Sequence, residues 1–345
     1  MPNYTDADRI KAQVRSAEMF ASHELRASPP VTFMEFKKQT ETSVPSHKET
    51  RLRADSPVAE INFKNRVSRV LGTAGETYDH TGVKGDSSIV TPTWIKRDDD
   101  FNWSLKQADK SVFSLIEELA HEFGQMSLNF SEGLETLATS TLFAARSGVN
   151  IATVEGAFDD TDDIFQITNS THGDRIAQIT KMVMQINKYK GHYTFFCDPV
   201  AFNLFEYKLN QGVQNSENLS FQFGNITFVN SLELQPLFGA VDAGYVLGNW
   251  LVVPDNALAV LDWIPQQNRM GVDNPGINKY YSFPDPITGL TMGFHEYQTR
   301  ADDTANGGHQ QDVVTQVQEF IHLAFEVAPL TTATETPVMA FSLIT

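Results

Sequence analysis

Between residues 111 and 147 the chain carries an apolar pattern that demands a long helix. Val112, Ile116, Leu119, Phe123, Met126, Phe130, Leu134, Leu137 and Thr141 recur in steps of three and four. Their mean spacing, about 3.6, is the α-helical period. A continuous helix over this span is on the order of 55 Å long at 1.5 Å per residue, longer than a small domain is wide. Gly124 and Gly133 fall inside the pattern and mark places for a bend or a break. Whatever else the chain does, it must cover one side of this rod.

Little upstream of the rod looks able to do so. Residues 1–46 hold one weak amphipathic stretch (Ile10, Val14, Ala17, Met19, Phe20), then Ser28-Pro29-Pro30 and a polar run from Glu35 to Ser46. This reads as an arm and not as a core. Residues 47–103 alternate short extended pieces, at 58–70 and 89–96, with the turn formers Gly72, Gly75, Gly82 and Gly85. Such a polar ribbon has little to bury by itself, and segments this long without a core of their own are usually functional or disordered.

Downstream the elements come closer together. The stripe Ile176, Ile179, Met182, Val183 and Ile186 follows the candidate caps Ser170, Thr171 and Asp174, and Lys188-Tyr-Lys190-Gly191 supplies stop signals. A strand at 193–197 leads into Asp198 as N-cap and Pro199 at the first helical position, with Phe202, Phe205 and Leu209 running toward Gly212. Strands are expected at 226–234, 244–253 and 258–264, and a last long one at 313–327. There Val313, Val317, Ile321, Leu323, Phe325 and Val327 share one parity and Gln316, Gln318, His322 and Glu326 the other. The expected fold class is α+β.

Charge divides the chain in two. Residues 1–103 hold 15 Lys/Arg and 15 Asp/Glu, whereas residues 104–345 hold 11 against 28, so the whole net charge of −17 lies downstream. An acidic body repels a phosphate backbone, which excludes sequence-specific DNA binding as the main function. Within the ribbon, residues 47–72 concentrate six cations, Lys48, Arg51, Arg53, Lys64, Arg66 and Arg69, against Glu49, Asp55 and Glu60. Basic ribbon and acidic body are complementary patches on identical chains, the arrangement that builds head-to-tail assemblies. These six residues are the expected inter-subunit contacts.

Enzyme signatures fail. There is no nucleophile elbow, phosphate loop or dinucleotide fingerprint, and His121-Glu-Phe-Gly-Gln lacks the second histidine of a metalloprotease helix. The nine histidines are scattered, and the single Cys197 excludes an intramolecular disulfide. Two acidic clusters, Asp98-Asp99-Asp100 and Asp159-Asp160-Thr161-Asp162-Asp163, lack calcium-loop spacing and read as exposed loops with a helix cap. No catalytic, metal or cofactor residue is expected. No apolar run approaches the roughly 20 residues of a spanning helix, and Met-Pro-Asn-Tyr-Thr-Asp lacks a signal-peptide pattern, so neither secretion nor a membrane is expected.

The order of polar arm, long ribbon, very long helix, mixed α/β segment and returning strand resembles the tailed-bacteriophage major capsid protein. The most specific stretches are Lys190-Gly-His-Tyr-Thr-Phe-Phe-Cys-Asp-Pro-Val-Ala-Phe-Asn-Leu-Phe, Phe223-Gly-Asn-Ile-Thr-Phe-Val-Asn-Ser and Gly244-Tyr-Val-Leu-Gly-Asn-Trp-Leu-Val-Val-Pro. They look like the strand-Asp-Pro-helix unit and following sheet of that family's axial domain. The resemblance implies an N-terminal arm at 1–46, an extended loop at 47–103, a peripheral domain with a spine helix at 104–150, an axial domain at 151–300 and a return to the peripheral domain at 301–345.

It also implies self-assembly into pentamers and hexamers of an icosahedral shell in the virion, built in the host bacterial cytoplasm around DNA held without sequence-specific contacts. Partners would be separate scaffolding, portal and decoration proteins. Lys84 and Lys96 would be crosslink donors only with a neighbour's Asn in reach. An encapsulin-like nanocompartment, which shares the fold, another virion structural protein and an acidic-site hydrolase remain as alternatives.

Overall fold

A computed structural model describes residues 6–22, 29–43, 61–64, 87–104, 115–147, 157–159, 162–186, 189, 191–212, 225–241, 246–271, 273–274, 278–302, 311–328 and 336–345. Helices α1 (Asp6–Ala21) and α2 (Val31–Ser43) come first, followed by strands β1 (Ile61–Lys64), β2 (Ser87–Val90) and β3 (Ile95–Ser104). The long helix α3 (Leu115–Ala144) precedes β4 (Ala157–Asp159), β5 (Ile164–Thr168), α4 (Ile176–Ile186), β6 (Tyr193–Cys197), α5 (Pro199–Gly212), β7 (Ile226–Asn230), α6 (Leu234–Val241) and β8 (Val246–Pro254). The chain closes with β9 (Leu258–Trp263), α7 (Gln266–Met270), β10 (Asp273–Asn274), β11 (Asn278–Pro284), β12 (Thr291–Asp302), β13 (Gln311–Val327) and β14 (Met339–Ile344).

The predicted rod is one unbroken helix of 30 residues, α3, about 45 Å long. Neither Gly124 nor Gly133 interrupts it. A glycine costs a helix about 1 kcal/mol but removes no hydrogen bond, and packing along the whole length outweighs that. Leu119, Phe123, Met126, Phe130 and Leu134 are buried as the stripe requires. In the last turns Ala138 and Leu142 replace Leu137 and Thr141 as the buried positions. There the helix turns to α6, where Phe143 meets Phe238 edge-on at 4.9 Å. Val112 lies outside the described residues.

Two sheets flank this helix. The first is antiparallel throughout, in the order β10-β11-β12-β13-β3, with β9 also on β13. His322 and Leu323 pair with β3 and β9 at once, so β9 continues the β12 side of the 17-residue strand β13. The second sheet runs β4-β5-β14-β8-β6-β7, with β14 parallel to β5 and β6 parallel to β7. Alternation splits its side chains between two cores. Phe195, Cys197, Trp250, Val252 and Phe341 face α4 and α5, while Phe196, Leu251, Val253 and Ala340 face the main core with α2 and α3.

The strand-Asp-Pro-helix unit forms as expected. Asp198 Oδ1 accepts from Ala201 N at 2.7 Å, and its Oδ2 accepts from Asn249 N and Nδ2 at 3.0 and 3.1 Å. The carboxyl thus caps α5 and ties it to β8. Gly248 holds φ +155, and a Cβ there would stand 3.0 Å from the Ala201 backbone. Only glycine lets strand and helix approach this closely.

Several expectations need correcting. Residues 31–43 are not part of a coreless arm but a helix whose Phe33 and Phe36 are fully buried, meeting Phe325 edge-on at 6.1 and 5.3 Å. The polarity of 35–46 reflects side chains that bond the body. The strand expected at 226–234 ends at Asn230, and α6 follows. Strands β11 and β12 and the final β14 were not anticipated. Nor does a division at residue 300 follow the sheets: β9 to β12 lie in the first sheet with β13, and β14 lies inside the second. Chain order misleads here because a sheet is closed by strands distant in sequence.

Phe123 joins α3 to the first sheet, edge-on to Phe101 at 5.3 Å and Phe294 at 6.0 Å. Phe123→Ala is expected to cost about 3–5 kcal/mol in denaturant unfolding, and Phe123→Asp to abolish soluble folding by burying an unpaired charge.

Candidate functional site

The charge division of the sequence points to surfaces through which copies could meet, and three features of the chain bear on them. The first is the ribbon. β1 and β2 pair antiparallel, from Ile61 opposite Val90 to Lys64 opposite Ser87. Among the described residues this two-stranded sheet pairs with no other strand. Of the six expected contact cations, Lys64 falls at the end of β1. Lys48, Arg51, Arg53, Arg66 and Arg69 lie outside the described residues, as does Lys84. Lys96 lies in β3, 3.6 Å from Asp98 and over the Phe320 ring at 5.2 Å.

The second feature is the seat of α2. Glu135, at mid-rod, accepts from Thr32 N at 2.8 Å, Thr32 Oγ1 at 2.6 Å and Phe33 N at 3.3 Å. A carboxylate from another helix therefore satisfies the free amides of the first turn and opposes the helix dipole. The same group accepts from Ser231 Oγ at 3.1 Å, which joins the second sheet to the node. Farther along, Gln39 Oε1 accepts from Leu258 N at 3.2 Å, and Thr40 Oγ1 accepts from Val260 N at 2.7 Å. Side chains of α2 thus take the place of a neighbouring strand along β9. Sequence reasoning missed this node. Its one local signal is Pro29-Pro30, which begins a helix without supplying a side-chain cap.

The third feature is the seat of α1, which is built differently. This helix packs along α3 with a mixed face: Ala12 and Met19 join the main core and Gln13 and Ser16 are buried beside them, whereas Ile10 and Val14 are 50% and 47% exposed. Beneath it lie three buried carboxyls of the first sheet and its turn, Glu296, Glu319 and Asp285. The Arg9 guanidinium sits 3.8 Å over the Tyr281 ring, with Nη1 3.7 Å from Glu296 Oε2. Asp6 joins Arg9 to Lys279, at 3.3 and 3.0 Å, and these contacts hold its carboxyl below the usual range. Burial pushes the Glu319 carboxyl well up, with the charges of Asp285 and Asp99 adding to it. Burial also raises Glu296, against the pull of Lys279 and Arg9.

Of the two acidic clusters, Asp160 and Thr161 of the second lie outside the described residues. Asp98, Asp99 and Asp100 form part of β3, not a loop. Asp98 accepts from Gln318, and Asp99 accepts from Asn129 Nδ2 at 2.9 Å. Negative charge on this edge strand discourages unwanted strand pairing. Among the described residues no group of three His, Cys, Asp or Glu stands close enough to hold a metal ion.

A cavity of about 540 Å³ between α1, the end of β3 and the start of α3 is lined by Trp103, Glu117, Glu118, His121 and Glu122 among others. Glu117, Glu118, His121 and Glu122 follow one another along α3 and fan out by about 100° per residue, with Arg15 of α1 on the opposite wall. Nothing here orients an acid and a base on one substrate atom, and no described helix is long and apolar enough to cross a membrane.

No protein-family model matches the sequence, and no curated protein matches it. Solved phage structures are similar to it. One, of Mycobacterium phage Che8, shares 12% identity over 92% of this chain and 93% of that chain, with a TM-score of 0.48. The asymmetric unit of the bacteriophage PhiM1 mature capsid shares 14% identity over 84% and 82%, with a TM-score of 0.43. The Cyanophage Pam1 capsid asymmetric unit shares 8% over 84% and 86%, with a TM-score of 0.46.

Removing the Glu135 carboxyl leaves two helix amides without their acceptor. Glu135→Ala is expected to destabilise the protein by about 1.5–3 kcal/mol and to raise amide exchange at Thr32 and Phe33 more than anywhere in α1.

Proposed function

We propose that this chain is the major capsid protein of a tailed bacteriophage, a shell subuni that acts by self-assembly and not by catalysis. The observation that carries the reading is the ribbon. An isolated two-stranded sheet is marginally stable in water, and β1 and β2 have no further strand partner among the described residues. Such a ribbon is stabilised by lying on a neighbouring copy, which buries surface between subunits and not within one. Its charge suits that role, because residues 47–72 carry six cations against three anions while residues 104–345 carry 11 against 28.

In this reading residues 47–94 are the extended loop, and β3 at its end returns to the first sheet. The first sheet with α3 is the peripheral domain, and the second sheet with α4 and α5 is the axial domain. Lys48, Arg51, Arg53, Lys64, Arg66 and Arg69 contact the acidic body of the next subunit. Pentamers and hexamers of the chain close an icosahedral shell around DNA, in the host cytoplasm, with separate scaffolding, portal and decoration proteins. Cryo-electron microscopy of the purified protein is expected to show closed shells with five- and six-fold capsomers. A population of monomers or dimers alone under all assembly conditions would overturn the proposal.

Single exposed ion pairs contribute about 0–1 kcal/mol and are screened over roughly 8 Å at physiological salt, so the loop acts through many repeated contacts. Reversing Arg51, Arg53, Arg66 and Arg69 together to Glu is expected to leave the subunit folded by circular dichroism. Light scattering should then show slowed or absent assembly, most markedly at low salt. Assembly of this variant at the wild-type rate in low salt would remove the electrostatic role of the loop.

A further inference from the structure

The two N-terminal helices are fastened to the body by opposite means. α2 inserts Phe33 and Phe36 into the core, and its first amides are met by Glu135. α1 turns Ile10 and Val14 outward and lays polar groups on buried carboxyls. Among the described residues, Arg9 Nε, Gln13 Nε2, Ser16 Oγ, Asp285 Oδ1 and both Glu296 oxygens are buried with no hydrogen bond at those atoms, while Arg9 Nη1 lies 3.7 Å from Glu296 Oε2 and Asp285 Oδ2 accepts from Thr288 N. Buried polar groups left this way each carry a desolvation cost. Their concentration under α1 sets this helix against buried carboxyls, beside the apolar contacts of its Ala12 and Met19. A cavity of about 20 Å³ bordered by Gln13, Ser16, Ser127, Asp285 and Glu319 lies in the same seat.

We propose that α1 is a pH-sensitive strap, which stays seated while Glu296 and Glu319 beneath it are neutral and lifts from the body when they ionise. The groups facing the two carboxyls set the balance. From α1 come Asp6 and Arg9, from β11 Lys279, from the turn after it Asp285, and from β3 Asp99. From the long helix, the uncharged Phe123 and Ser127 border the cavity beside Glu319. Glu296 has two cations within range of its charge, and Glu319 has only anions. Glu319 is therefore the dominant control and Glu296 the weaker one.

The direction follows from linkage. Seating α1 desolvates both carboxyls and raises their proton affinity above that of the open form. The stabilisation of the seated form is complete below the ordinary carboxylate range and is lost as pH rises through the raised values. Once lifted, α1 leaves Glu296, Glu319 and Tyr281 in water, where the carboxylates are solvated. The strap thus opens toward neutral and alkaline pH, while α2 and the core behind it hold.

The test is amide hydrogen exchange of the full chain, corrected for intrinsic rate, from about pH 5 to about pH 9, reading α1 and α2 separately. Protection of α1 is expected to fall with rising pH, by up to about tenfold per pH unit for each linked proton, while that of α2 holds. The Glu296→Gln/Glu319→Gln double variant is expected to keep α1 protected across the range. Glu319→Gln alone is expected to remove the larger part of the slope, and it carries the comparison should the double variant fail to fold. A flat α1 profile in the wild-type protein overturns the proposal. So does joint loss of protection in α1 and α2, which would report global unfolding, or an unchanged slope in Glu319→Gln.

Discussion

The pairing of β13 on both of its edges is the constraint on which the rest of the first sheet depends. Over Gln311–Val327 this strand bonds β3 along one edge and β12, then β9, along the other. A strand of 17 residues spans nearly 60 Å at about 3.4 Å per residue, so it exceeds α3 in length and sets a single surface for the helix to cover. Val317, Ile321 and Leu323 on one parity supply its apolar contacts. Because the side-chain period is two, a slip of one residue would send these outward and bring Gln316, Gln318 and His322 under the helix. The register is thereby selected by the core, and α1, α2 and α3 inherit their places from it.

The second sheet solves a different problem, since both of its faces are covered. Adjacent residues such as Phe195 and Phe196 enter separate cores, which explains why β6 and β8 read as continuous apolar runs. Asp198 is the polar pin at the end of β6. Burial raises its carboxyl while hydrogen bonds from Ala201 and Asn249 pull it down. It is retained in the interior because three donors converge on it, in contrast to Glu319, whose charged neighbours are acidic.

How much of this was legible depends on whether the determinant was local. The rod, the stop after Ile186, the Asp198-Pro199 start and the long last strand all announce themselves within a window of a few turns or residues, and each formed close to its expected place. The seat of α2 did not, because Glu135 lies 103 residues from Thr32 and nothing near either one points to the other. Val31–Ser43 looked polar for the same reason: Lys37, Gln39 and Thr40 bond backbone groups of Thr288, Leu258 and Val260. The place of β14 between β5 and β8 is likewise a matter of topology, not composition. For the expected contact site, charge asymmetry named six cations, and only Lys64 falls among the described residues.

The contrast between the two N-terminal helices connects these points to assembly. A helix whose apolar side faces the core is held by burial that changes little with pH, whereas one seated on carboxyls is held by a term that titrates. α2 belongs to the first kind, as Phe33 and Phe36 show, and it can lock β9 and the second sheet to α3 whether or not copies associate. α1 adds the second kind to a smaller apolar contact, with Ala12 and Met19 on the core and Arg9, Gln13 and Ser16 over the buried carboxyls. The node at Glu135 ties α2 to the rod through groups that keep their partners at every pH above the carboxylate range, whereas the seat of α1 sets Arg9, Gln13 and Ser16 against carboxyls whose burial disfavours their charge.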